Sequence, residues 1–270
     1  MTTKFFLNQL RPDRAVIAVS GEGALAFLHN LLTCDVATLA IGQAAYGALL
    51  SPQGKILHDI FVFNAGEQIL IDCALEQREA LLQKLMMYKL RAKLTITSRD
   101  DLEVAVGEEG YVDPRNAVIG HRFFAAKGAF KAVEGYDAAR IALGLADSVQ
   151  DIGTNNLFPH EANFDQFGGV NFTKGCYVGQ EVVSRMQHRG TARSRILPVT
   201  GQGLMKAAPI TSAEKTIGEI LSASDTNALA LIRLDRLAEV TTPLLSNAVT
   251  VRVQKPDWIK YDVTIPEAAR

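Results

Sequence analysis

With 270 residues, 48% of them apolar and 21% charged, and a mean hydropathy of +0.09, the chain can bury a sizeable core, which excludes disorder and predicts two domains, or one divided domain with a small partner. Its 28 Lys and Arg against 29 Asp and Glu leave a net charge of -1, which excludes a globally basic nucleic-acid coat and confines any anion site to a local patch. Three cysteines, Cys34, Cys73 and Cys176, without a C-x-x-C pair, argue against a disulfide framework or a four-thiolate metal site and fit a reducing compartment.

In chain order, the opening MTTKFFLNQLRPDR lacks the apolar stretch and cleavage site of a secretory leader, and too little chain precedes the first strand for a transit peptide. Residues 15–19 read as an apolar strand, and Leu25, Leu28, Leu31 and Leu32 repeat at helical spacing. Residues 36–54 carry no charge, but Gly42, Gln43, Gly47, Ser51, Pro52 and Gln53 interrupt them, so no membrane span is expected. The expected location is the cytoplasm.

A strand over 46–50 leads into Ser51-Pro52-Gln53-Gly54, a turn sequence, and 55–63 is the return strand of a hairpin. Strict alternation places Asp59 with Leu57, Phe61 and Phe63, and His58 with Ile56, Ile60 and Val62. Further strands are expected at 68–72, 93–97 and 102–106, with an amphipathic helix at 76–87, making a mixed α+β unit. A helix at about 137–143 precedes a long loop reaching about residue 173. From residue 195 onward, short runs at 196–200, 216–222, 228–233 and 249–253 suggest a small antiparallel barrel or sandwich.

Charge changes sign abruptly before that boundary. Residues 141–173 hold Asp147, Asp151, Glu161 and Asp165 and no Lys or Arg; residues 174–195 hold Lys174, Arg185, Arg189, Arg193 and Arg195 against Glu181 alone, a net of +4. Two readings stay open: an acidic loop paired with a basic helix, or a cleft wall for a ligand carrying hydrogen-bond donors and negative charge. A helix from Gly179 to about Gln187 would present free N–H groups near Cys176, a setting that favours a thiolate, although an isolated cysteine also suits a small core position. The five histidines lack metal-binding spacing, and no metal is expected.

The string Lys-Gly-Cys-Tyr-Val-Gly-Gln-Glu at 174–181, followed by Arg185, resembles the signature of the YgfZ family of folate-binding proteins, relatives of the aminomethyltransferase of the glycine cleavage system (the GcvT superfamily). LLTCDV at 31–36, SPQGKILHD at 51–59, PHEANFD at 159–165 and IGEILSAS at 217–224 extend the resemblance over nearly the whole chain. It implies an α+β fold: a three-part ring of two mixed α/β folate-binding modules and a C-terminal antiparallel β-barrel. The intertwined modules would occupy 1–194, with an insert at approximately 46–116, and the barrel 195–270.

The resemblance implies tetrahydrofolate as cofactor and a role in assembling or repairing iron–sulfur clusters, including those of tRNA-modifying enzymes. Iron–sulfur proteins or assembly factors would be partners, with folate or its polyglutamates as ligand. Cys176 and Lys174 would form a functional thiol motif; Glu161, Asp59, Tyr177, Gln180 and Arg185 would serve folate, Glu161 by accepting hydrogen bonds from the pterin. The transferases carry paired acidic residues where this chain has His58-Asp59, which leaves aminomethyl transfer as an alternative with one carboxylate missing. A folate-independent scaffold that holds a partner protein or tRNA through the arginines of 185–195 is the other, and the balanced net charge makes direct tRNA binding the weaker form of it.

Overall fold

The computed structural model describes residues 8–132, 134–190 and 192–270. Half of the N-terminal stretch that was read as lacking a leader, residues 1–7, lies outside the described residues.

After the short strand β1 (Gln9–Leu10), β2 (Arg14–Ser20) is buried along nearly its whole length, as a strand must be when layers cover both its faces. Helix α1 (Ala24–Leu31) turns Leu28 and Leu31 inward. Then β3 (Ala44–Leu50) and β4 (Ile56–Asn64) make the expected hairpin, β5 (Ile69–Ala74) follows, and α2 (Arg78–Lys89) buries Leu81 and Leu85 before β6 (Thr95–Ser98). These strands form one antiparallel sheet in the order β3-β4-β5-β2-β6.

A second antiparallel sheet joins β1 to β7 (Leu102–Gly107), β8 (Tyr111–Val112) and β9 (His121–Ala126), in the order β1-β7-β9-β8. Strand β9 escapes the apolar pattern because its inward residue Arg122 is a charge, only 2% exposed. Helix α3 (Tyr136–Leu143) follows, and a π-helical turn at Ser148–Ile152 interrupts what was expected to be loop. Asp147 starts that turn by accepting the amides of Val149 and Gln150 at 2.9 and 3.0 Å. Helix α4 (Gln180–Arg189) runs between two left-handed glycines, Gly179 and Gly190.

The C-terminal unit is a closed barrel of six strands: β10 (Ser194–Thr200), β11 (Pro209–Ser212), β12 (Lys215–Ser224), β13 (Asn227–Arg233), β14 (Leu244–Ser246) and β15 (Val249–Val253), in the order β10-β13-β12-β11-β14-β15. The short strands β11 and β14 add two to the four read from the sequence; each buries a single large apolar side chain, Ile210 and Leu244, too little for a periodic signal. A single turn of helix, α5 (Leu234–Leu237), follows β13. Alternation fills the barrel with Leu197, Val199, Ala230, Ile232 and Val251, and turns Ile196 and Leu229 out into the core of the rest of the chain. Trp258 reinforces that junction, its indole N–H donating to the Leu143 carbonyl at 3.1 Å.

The five-stranded sheet separates two cores. Ile17, Val19, Ile60, Val62 and Cys73 face α1 and α2; Val16, Ala18, Phe61, Phe63 and Leu70 face the second sheet and α3. Ile56 belongs with Phe61, not with Ile60 as strict alternation predicts. The register slips between Leu49 and Leu50, so Leu49 pairs with His58 while Leu50 pairs with Ile56; the extra residue in β4 reverses the facing of everything before it.

Candidate functional site

The loop 169–179 is bound to the end of α1 by a set of bonds that mostly involve backbone carbonyls. Lys174 donates its ammonium to the carbonyls of His29, Leu32 (2.6 Å) and Cys34 (3.0 Å). All three ammonium protons are thereby occupied, at a helix C-terminus whose dipole favours a cation. Burial holds the Lys174 pKa below the ordinary lysine value, with the neighbouring Cys34 and Asp35 opposing. Asn171 accepts the amides of Thr173 and Lys174, both at 2.9 Å, and its own amide donates to the Thr33 carbonyl at 2.9 Å. Thr33 completes the seam by donating its hydroxyl to the Gly169 carbonyl.

The three cysteines separate by burial. Cys34 and Cys73 are buried, and burial pushes each thiol up to about 12. Cys176 is exposed. It stands between the anchored Lys174 and the buried Tyr177, whose ring lies 5.1 Å from the Lys174 ammonium and whose hydroxyl is pushed up to about 12 by burial. Lys174 therefore holds the segment in place, and its charge is spent on carbonyls.

This segment also rests on the β3–β4 turn. Gly54 and Gly179 have φ of +83° and +81°, and each abuts the other: a Cβ on Gly179 would lie 2.6 Å from the Ser51 carbonyl oxygen and 3.0 Å from the Gly54 Cα. Only glycine meets both the left-handed backbone and the close approach. The SPQG turn and the KGCYVGQE string, 120 residues apart in the chain, are thus two sides of one contact. Gln180 opens α4 there, its amide donating to the Tyr177 carbonyl at 3.3 Å.

Glu161 is half-buried and enters no ion pair among the described residues. Its Oε2 accepts the Phe158 amide at 2.9 Å, which leaves Oε1 available. Burial raises its pKa above the ordinary glutamate value, outweighing the Phe158 amide, Lys55 and Arg195. Among the described residues Glu161 pairs with no arginine of the basic segment: Arg195 pairs with Asp165 at 2.6 Å and stacks 4.0 Å from the Tyr261 ring. Arg185 is exposed and pairs with Glu181, one turn earlier on the same helix, at 2.5 Å.

Asp59 lies elsewhere, 2% exposed, inside an ion network that joins the two sheets. Tyr46 donates to it at 3.2 Å, and burial pushes its carboxyl above the ordinary aspartate value despite Arg14 and Arg115. Asp72 takes Arg14 on one oxygen at 2.5 Å and Arg122 on the other at 2.6 Å; Asp113 takes Arg115 and Arg122 at 3.0 and 3.1 Å. The Tyr136 hydroxyl accepts from Arg122 at 2.8 Å and Arg115 at 3.2 Å, under the guanidinium of Arg11. The cavity left among Asp59, Arg14, Arg122 and Ser148 measures about 10 Å3, room for one water molecule and no pterin. His58 points to the opposite face of β4, where its Nδ1 lies 3.3 Å from the Gln77 side-chain oxygen, and burial lowers its pKa to about 4.

The sequence-derived residues thus do not all come together. Lys174, Cys176, Tyr177 and Gln180 share the loop on α1 and the SPQG turn; Asp59 is sealed in the network, and Arg185 faces solvent. Arg14, Asp72, Asp113, Arg122 and Tyr136 were not singled out, and no local pattern marks them, because the partners lie up to 58 residues apart.

Of the residues expected to serve tetrahydrofolate, Glu161 keeps one half-buried carboxylate oxygen with no partner among the described residues, an acceptor of the kind a pterin N–H would need, whereas the surroundings of Asp59 leave no room for a ring.

Among known proteins, residues 14–106 match the GCVT N-terminal domain family and residues 193–261 match the CAF17 C-terminal beta-barrel domain family. The chain is 30% identical over 283 residues to the iron-sulfur cluster assembly factor IBA57 homolog, mitochondrial, of Pyricularia oryzae, covering 86% of this chain and 72% of that protein. It is 28% identical over 298 residues to the iron-sulfur cluster assembly factor IBA57, mitochondrial, of Mus musculus, covering 91% and 83%. The crystal structure of glycine cleavage system aminomethyltransferase T from Bartonella henselae superimposes with a TM-score of 0.75 over 95% of this chain and 87% of that one, at 15% identity, a likeness of fold alone. With GcvT-like modules, a closed CAF17-type barrel and these relatives, the chain belongs to the IBA57 family.

Proposed function

We propose that this protein binds tetrahydrofolate and assists the assembly or repair of iron–sulfur clusters, acting through Cys176. The observation that carries the reading is the exposure of Cys176 on a loop tied down at Lys174 and Gly179, while Cys34 and Cys73 are sealed in the core. The names of the relatives support the iron–sulfur half, and the string at 174–181 that resembles the YgfZ family supports the folate half and extends the clients to tRNA-modifying iron–sulfur enzymes.

A cluster is cargo in this reading. Iron–sulfur clusters are held by several thiolates, and among the described residues no three His, Cys, Asp or Glu side chains gather to hold a metal. Cys176 can supply one ligand or one nucleophile, and a client or carrier supplies the rest. Glu161 would hold the pterin through Oε1, with Lys55 and Phe158 beside it. Tetrahydrofolate supplies a reduced pterin able to carry one-carbon units. Aminomethyl transfer finds no support at position 59, because that carboxyl is enclosed and His58 lies on the other face of the strand.

Anaerobic calorimetric titration with tetrahydrofolate tests the folate half. The wild-type chain is expected to bind, and Glu161→Gln to weaken binding by about 1–3 kcal/mol, since an acceptor facing a pterin donor becomes a donor. No binding by the wild type refutes the folate reading; equal affinity with the fold intact removes Glu161 from it.

A further inference from the structure

The C-terminal end of α2 carries the barest apolar surface in the unit. Met86, Met87 and Leu90 are 48%, 58% and 85% exposed, and their spacing of three and four places Leu90 beside both methionines on the helix surface. Leu90 ends the helix with φ +49° and ψ -114°. That backbone is strained for a leucine and suits glycine or asparagine better, so the side chain held there, out in water, has no service to the fold that its backbone or its packing explains.

Cations surround this tip. Between Glu79 and Asp100 the chain carries Lys84, Lys89, Arg91, Lys93 and Arg99 and no carboxylate. Arg99 pairs with Asp101 at 2.7 Å; the other four form no ion pair among the described residues. The apolar groups stand at the end of α2, where the chain turns toward β6, and Leu90 is 85% exposed, with almost none of its side chain covered. A protein partner would need a matching hollow for them. The interface of an anionic bilayer needs none: acyl chains admit apolar side chains at any position, and acidic headgroups attract each flanking Lys and Arg.

We infer that the α2 tip is a peripheral docking surface for an anionic lipid bilayer, with Leu90, Met86 and Met87 entering the headgroup boundary and Lys84, Lys89, Arg91 and Lys93 contacting acidic headgroups. The surface lies on the opposite side of the five-stranded sheet from the ion network and uses neither Cys176 nor Glu161.

The test is co-sedimentation of the full chain with vesicles of phosphatidylcholine alone and with 30% phosphatidylglycerol. The expected result is at least tenfold stronger partitioning onto the anionic vesicles, reduced about tenfold or more as salt is raised from 50 to 500 mM. Leu90→Asp, at an exposed position whose backbone aspartate tolerates, and Lys89→Glu with Arg91→Glu should each reduce it at least fivefold with unchanged circular dichroism. Equal partitioning onto both vesicle types, or anionic binding that survives Leu90→Asp, overturns the inference. Tip variants that change no vesicle binding but abolish association with an acidic protein would assign the surface to a protein and overturn it likewise.

Discussion

Replacing Lys174 by Met removes one ammonium and leaves the carbonyls of His29, Leu32 and Cys34 without their shared donor. A hydrogen bond to a charged group contributes about 1.5–3 kcal/mol, and three from one half-buried ammonium do not add, since its desolvation offsets part of the gain. The expected net loss is about 2–3 kcal/mol, which for a protein of this size lowers the melting temperature by roughly 4–10 °C. Lys174→Arg should recover only part of it, because a planar guanidinium cannot aim at three carbonyls converging on one point. Thermal unfolding gives the stability, and hydrogen exchange at 171–177 reports the loop locally, through the Thr173 and Lys174 amides held by Asn171. A variant that melts within 1 °C of the wild type and exchanges this loop no faster would refute the anchoring role.

Four further outcomes rest on named contacts. Gly179→Ala puts a Cβ 2.6 Å from the Ser51 oxygen at φ +81° and should cost more than about 2 kcal/mol, whereas Gly175→Ala, with nothing within 4 Å, should stay within about 0.5 kcal/mol in the same denaturant titration. Arg122→Met leaves Asp72 and Asp113 each short of a buried partner and should cost about 3–5 kcal/mol, read from urea unfolding. Burial raises the Asp113 carboxyl, but Arg115 and Arg122 outweigh it and hold it at about 2. Its contribution of about 2 kcal/mol is present above the unfolded value near 4 and is lost as pH falls toward 2, so acid unfolding in that window should be shallower in Asp113→Asn. His58, held neutral down to about 4, adds a loss that begins higher, as pH falls from about 6.5 to 4; unchanged acid profiles in His58→Gln and Asp113→Asn would contradict both assignments.

Legibility in the sequence tracked the range of the interactions. The strand of 15–19, the SPQG hairpin and the helix entered through Gly179 announce themselves because their signals are local: apolar runs, turn residues, helical spacing. The face of Ile56 was misread because a bulge leaves no mark in the apolar pattern. Lys174 was recognisable as part of a motif, yet its task was not, since its acceptors are backbone carbonyls about 140 residues earlier, where any side chain would serve. Asp59 is expected at the folate site only from the resemblance, and its enclosure leaves no mark in the sequence because the arginines around it, Arg14, Arg115 and Arg122, come from three separate elements. The acid-to-base reversal around residue 174 resolves into separate local partnerships, Arg195 with Asp165, Arg185 with Glu181 and Lys174 with carbonyls, so neither a single ion network nor a uniform basic wall describes it.

The claim that Cys176 carries function without carrying the fold is tested most directly by Cys176→Ser in cells that lack the native protein, with the activity of an endogenous iron–sulfur enzyme measured beside the melting temperature of the purified variant. An exposed thiol exchanged for a hydroxyl should move stability by less than about 0.5 kcal/mol. Normal melting and normal tetrahydrofolate binding are expected, with iron–sulfur enzyme activity as low as in cells without the protein, while folded Cys34→Ser and Cys73→Ser restore it. Full restoration of activity by Cys176→Ser would contradict the account.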